Sequence, residues 1–168
     1  MSEPLPLQTA FKLSALALLL GTPALAEPPT LALPIDCALG QTCYIEDYVD
    51  LAPGPEQHDF MCSLKTRDGH RGTDLHLMSF DAMEKGVNVL AAAPGRVSAL
   101  RDGMEDTPVT DETRDQIEGR ECGNAVRIDH GDGWQTLYCH LKQGSLSVTE
   151  GQEVDTGTPL AQVGLSGM

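Results

Sequence analysis

The sequence is short of positive charge. Eleven Lys and Arg stand against 25 Asp and Glu, a formal net charge of −14. Nucleic-acid binding needs a basic surface, so this balance argues against such a partner. The sequence also lacks any C-x-x-C pair, which argues against a thioredoxin motif or a zinc ribbon. Only one long apolar run is present, "LSALALLLGTPALA" at residues 13–26. It is too short for a bilayer-spanning helix, which needs ~20 residues. It closes on Ala24-Leu25-Ala26 and reads as the h-region and cleavage site of a signal peptide over residues 1–26. The expectation is an exported chain, periplasmic or extracellular, with no transmembrane segment after signal cleavage.

What is present divides into two parts. Residues 27–65 form a proline-rich N-terminal arm, with "EPPTLALP" and "APGPEQ" marking extended chain and turns. Residues 66–168 hold short apolar alternations broken by glycine. "GVNVLAAAPGRVSAL" reads as two strands with a turn at Pro94-Gly95, and "NAVRIDHGDGWQTLYCHL" as a hairpin turning at "HGDG". "SVTEGQEVDTGTPLAQVG" adds short strands with turns at Gly151 and Gly157. Closely spaced strands predict a mostly β, small single-domain antiparallel fold. Residues 101–121 interrupt it with eight acids against three arginines, an exposed acidic insertion with one short helix starting near Thr110.

In an exported chain the five cysteines read first as disulfides. Cys122 precedes one strand of the hairpin and Cys139 ends the other, so the two lie opposite each other. Cys37 with Cys43 is the next pair, leaving Cys62 over; Cys62 with either of them is the alternative.

The stretch "DGHRGTDLHL" at residues 68–77 packs His70, Asp74 and His76 around Gly72. Zinc takes imidazole nitrogen and carboxylate oxygen at ~2.0–2.2 Å. On a straight strand His70 and Asp74 would stand ~13 Å apart, too far to chelate. A bend between them, which Gly72 permits, makes H-x-G-x-D a sensible metal half-site. His76 shares a face with Asp74 and offers a substitute ligand. A second signal is "LYCHL", where His140 ends a strand whose alternating face carries Trp134, Thr136 and Tyr138.

Four segments occur in order: "HRGTDL", "VLAAAPGRV", "CGNAVRIDHGDGWQTLYCHL" and "GQEVDTGTPLAQVGLSG". Together they resemble the lysostaphin- and LytM-type zinc endopeptidases of bacterial cell walls, over roughly residues 66–167. The resemblance implies the LytM-like duplicated hybrid motif fold and peptidoglycan as substrate. It also implies Zn²⁺ as cofactor, with His70 and Asp74 as ligands and His140 as a catalytic histidine. It further implies a final H-x-H strand shortly after "G-x-S-G". The sequence reaches Met168 where that strand is due, so the reading expects a fragment, C-terminally incomplete and inactive as it stands. Two other readings compete. One is a catalytically dead LytM-like module that binds or activates cell-wall hydrolases. The other is a lipoyl or biotinyl carrier, suggested by "AMEKG" at residues 82–86, although Lys85 does not fit a carrier's lysine motif.

Overall fold

A computed structural model describes residues 27–167. The signal peptide expected over residues 1–26 lies outside the described residues. Among the described residues, eight short strands and almost no helix make up the fold, which is mostly β and antiparallel. The main sheet holds four strands: β4 (Gly95–Arg101), β5 (Asn124–Asp129), β6 (Gln135–Leu141) and β7 (Glu153–Val154). Their spatial order is β6-β5-β4-β7. Two smaller pairs complete it: β1 (Cys43–Ile45) with β2 (Leu75–Leu77), and β3 (Asn88–Leu90) with β8 (Pro159–Gln162).

The β5–β6 hairpin turns through Gly131, Asp132 and Gly133, all at positive φ, and pairs Asp129 with Gln135. That is the place the sequence predicts. Gly95 opens β4 where β5 passes close by; a Cβ there would collide with the Asp129 carbonyl and the Ile128 side chain. The core gathers Val97, Val126, Ile128, Tyr138, Leu141, Val148, Val154 and Leu160, all nearly or fully excluded from water.

The two strands expected in "GVNVLAAAPGRVSAL" exist, but they belong to different sheets. Between them Ala91, Ala92 and Ala93 run through the interior, small enough to pass under the core. The Ala92 amide donates to the Tyr138 hydroxyl at 2.8 Å. Helix α1 (Phe80–Lys85) was not anticipated. It is capped by the Ser79 side chain and stopped by Gly86 at φ 86°. Lys85 lies in its last turn, not in a β-turn, which removes the carrier reading.

The acidic insertion carries a single 3-10 turn, Arg114–Ile117, preceded by Thr113 rather than capped by Thr110. Its start is not merely solvated. Asp102 accepts the Gly144 amide, and Asp106 accepts the amides of Gln143 and Leu165. Disulfides join Cys37 to Cys43 and Cys122 to Cys139, and Cys62 is free and exposed.

Candidate metal centre

The site is built on a turn laid against the arm. Arg67 to His70 form a tight turn, with the His70 amide donating to the Arg67 carbonyl and Gly69 at φ 71°. The chain then bends at Gly72 before entering β2. This bend brings the His70 Nε2 and an Asp74 carboxylate oxygen to 3.1 Å, although four residues separate them. A Cβ at Gly72 would approach no heavy atom but Nε2, at 4.0 Å. The glycine thus leaves the space in front of that nitrogen open.

The arm supplies the rest of the frame. Its backbone runs beside the site segment: Glu46 donates to the Asp74 carbonyl, Asp74 to Asp47, Tyr48 to Lys65 and Asp50 to His70, each at 2.8–2.9 Å. The Tyr48 carbonyl accepts the His70 Nδ1–H at 2.7 Å. A carbonyl can only accept, so Nδ1 carries a proton, and a metal ion in the site would meet the Nε2 lone pair. Buried Thr66 donates to the same carbonyl and steadies it. The Asp50 carboxylate accepts the amides of Ala52 and His58 in the arm and of Gly69 in the turn. These backbone hydrogen bonds, Ala52 first and Gly69 next, hold its carboxyl below its ordinary range.

Asp47 is the residue that sequence reasoning missed. It lies with His70 and Asp74 in a cluster whose potential ligand atoms all fall within 4.8 Å of one another. Bonds of ~2.1 Å put neighbouring ligands on a tetrahedral zinc ~3.4 Å apart, so small rotations suffice to close the set on one ion. One imidazole and two carboxylates suit zinc chemically. The guanidinium of Arg67 bridges the two carboxylates, with an Asp74 contact of 2.8 Å and an ion pair to Asp47. Hydrogen bonding to Asp74 is the main reason its pKa is raised. No spacing signal could have found Asp47, because the β1–β2 pairing brings it in.

His76 is not part of this cluster. It is exposed on β2, opposite Tyr44, with ring centroids 5.7 Å apart. Asp74 precedes β2, so the strand's period of two does not extend to it, and His76 faces Tyr44 while Asp47 lies beside His70 and Asp74.

His140 is held by a different set of contacts. It is the next-to-last residue of β6 and stands at φ 57°, an uncommon conformation for a side-chain-bearing residue. Its amide donates to the Cys122 carbonyl at 2.8 Å, and its carbonyl accepts the Gly164 amide at 3.0 Å. Its Nδ1 donates to the Ser166 carbonyl at 2.8 Å.

No curated protein matches the chain. The family model described as peptidase family M23 matches residues 68–168, a span that opens two residues before His70 and contains Asp74 and His140. That span is more than half of the sequence, and the chain belongs to peptidase family M23.

Proposed function

We propose that this peptidase is a zinc-dependent endopeptidase acting on the peptide bonds of bacterial peptidoglycan. The observation that carries the reading is the pairing of His70 Nε2 with the Asp74 carboxylate at 3.1 Å, with Nδ1 tied to the Tyr48 carbonyl. A histidine ligand is oriented in this way, by a hydrogen bond to its other nitrogen. His70 and Asp74 would hold the ion, and Asp47 stands beside them as a further carboxylate. The family resemblance implies another histidine ligand from an H-x-H strand following "G-x-S-G". Zinc, when bound, would polarise a scissile carbonyl and supply a nucleophilic water at neutral pH. His140 presents Nε2, with Nδ1 engaged, and would hydrogen-bond the attacking water or the developing oxyanion.

The two disulfides suit an oxidising compartment, which supports a periplasmic or extracellular setting for such a substrate. Among the described residues no helix is long and apolar enough to cross a membrane. A catalytically dead module would be expected to have lost its ligands, and the preserved geometry of His70 and Asp74 weighs against it.

The test is release of soluble fragments from purified peptidoglycan by the protein, with zinc measured on each variant. His70→Ala and Asp74→Ala should lose both metal and activity. His140→Ala should keep zinc and lose most of the ~10²–10⁴-fold that a general acid–base group contributes. Undiminished hydrolysis by either ligand variant would sink the reading.

A further inference from the structure

His140 sits in a conformation that must be held from outside: Cys122 and Gly164 hold its main chain, and the Ser166 carbonyl meets its ring. The Ser166 side chain is fully buried. Its Oγ accepts the Asn124 amide at 2.9 Å and donates to the Leu141 carbonyl at 2.8 Å. The hydroxyl therefore spans the first residue of β5 and the residue directly after His140. Its own main-chain carbonyl then meets the His140 Nδ1 at 2.8 Å.

The surroundings make room for this contact. A Cβ at Gly123 would collide with the Ser166 carbonyl, and one at Gly167 with the Glu121 carbonyl. Both glycines are at positive φ, so the two backbones approach as only glycine permits. Asn124, also fully buried, donates through Nδ2 to the carbonyls of Leu141 and Met104. The Cys122–Cys139 disulfide closes the other side, with Cα atoms 4.8 Å apart on the residues flanking this knot.

We propose that Ser166 is the positioning residue of His140: its buried hydroxyl fixes its carbonyl against Nδ1–H, and so leaves Nε2 as the working nitrogen. A neutral imidazole has one N–H, and the acceptor-only carbonyl claims it. Without the hydroxyl, the peptide at residue 166 loses both anchors, and the ring is free to exchange its tautomers and turn. The proposal rests on the reading of His140 as a catalytic residue.

The test is the tautomer of His140, read from imidazole ¹⁵N shifts in the full chain at alkaline pH. The native ring should show a protonated Nδ1 and a lone pair on Nε2. Ser166→Ala should average the two nitrogens, while Ser166→Thr, which keeps the hydroxyl, should restore the native pattern. Ser166→Cys, near in volume but a weak donor, serves where Ser166→Ala does not fold, with the same averaging expected. A native ring protonated on Nε2 overturns the proposal without any substitution. So does a folded Ser166→Ala that keeps Nδ1 fully protonated. The tautomer is measured without hydrolysis. A fully active His140→Ala would remove the catalytic reading and leave this measurement standing on its own.

Discussion

Asp47 and Asp74 share one cation, the guanidinium of Arg67, each holding a different terminal nitrogen. The two carboxylates come from segments far apart in sequence, and the same two are the oxygen donors of the candidate metal cluster. Arg67 and a metal ion therefore compete for the same charge. Arg67→Ala should raise zinc affinity roughly tenfold, the scale of removing one positive charge a few ångströms from a dication in a water-rich setting. Titration with a competing chelator gives the value. A fall in affinity would mean that Arg67 organises the carboxylates more than it blocks them.

Asp47→Ala tests whether the arm donates to the metal. If Asp47 is a ligand, zinc affinity of the full chain should fall by more than the ~10–100-fold typical of an outer-shell partner. Asp47→Asn should fall nearly as far, because the amide oxygen is a weaker donor than a carboxylate. Equal affinity in the native chain and in both variants would confine the metal to His70 and Asp74.

The Asp50 carboxylate gives the arm a pH dependence. Its folded pKa is lowered, chiefly by the amides of Ala52 and Gly69. A depressed carboxylate contributes stability that is complete above its unfolded pKa of ~3.9 and is lost as pH falls through the folded value. Asp59, lowered mainly by the Ser63 hydroxyl, acts with the same sign in the same arm. Chemical denaturation midpoints measured from pH 7 downward should hold to about pH 4 and then decline. Asp50→Asn should lower the midpoint at pH 7 and flatten that decline. An unchanged slope would show that the carboxylate does not titrate with unfolding.

The Cys122–Cys139 disulfide closes a loop with a sequence separation of 17. By the chain-entropy account a loop of this size contributes ~3 kcal/mol. Replacing both cysteines by serine should lower unfolding free energy by about that much. Hydrolysis should fall more than zinc content does, because the bond braces the end of β6 and not the metal cluster. Equal losses in both would place the effect on the whole fold.

The fold was legible where local chemistry decides it. Gly131, Asp132 and Gly133 announce the β5–β6 turn, since positive φ at these positions leaves the chain little other choice. Partner choice was not legible. β3 and β4 are neighbours in sequence yet lie in separate sheets, because three alanines pass between them through the core. Helix α1 had its signals in Ser79 and Gly86, but six residues give too little periodicity to register against a β background. At the site, H-x-G-x-D singles out His70 and Asp74 because both lie on one bent segment. Asp47 and the Tyr48 carbonyl reach it through strand pairing with the arm, and backbone carbonyls leave no mark on a sequence at all.

The arm's backbone contacts set a boundary for anyone dissecting this protein. A truncation beginning at Asp68, where the family match opens, would retain His70, Asp74 and His140. It would discard the Tyr48 carbonyl and the Asp50 carboxylate, leaving the His70 ring free to swap its nitrogens and the turn before it unmoored. The smallest unit with an ordered metal half-site should therefore start no later than β1, at Cys43. Zinc affinity compared between pieces starting at residues 27 and 68 measures what that excision removes. Equal affinities would show that the turn needs no outside splint.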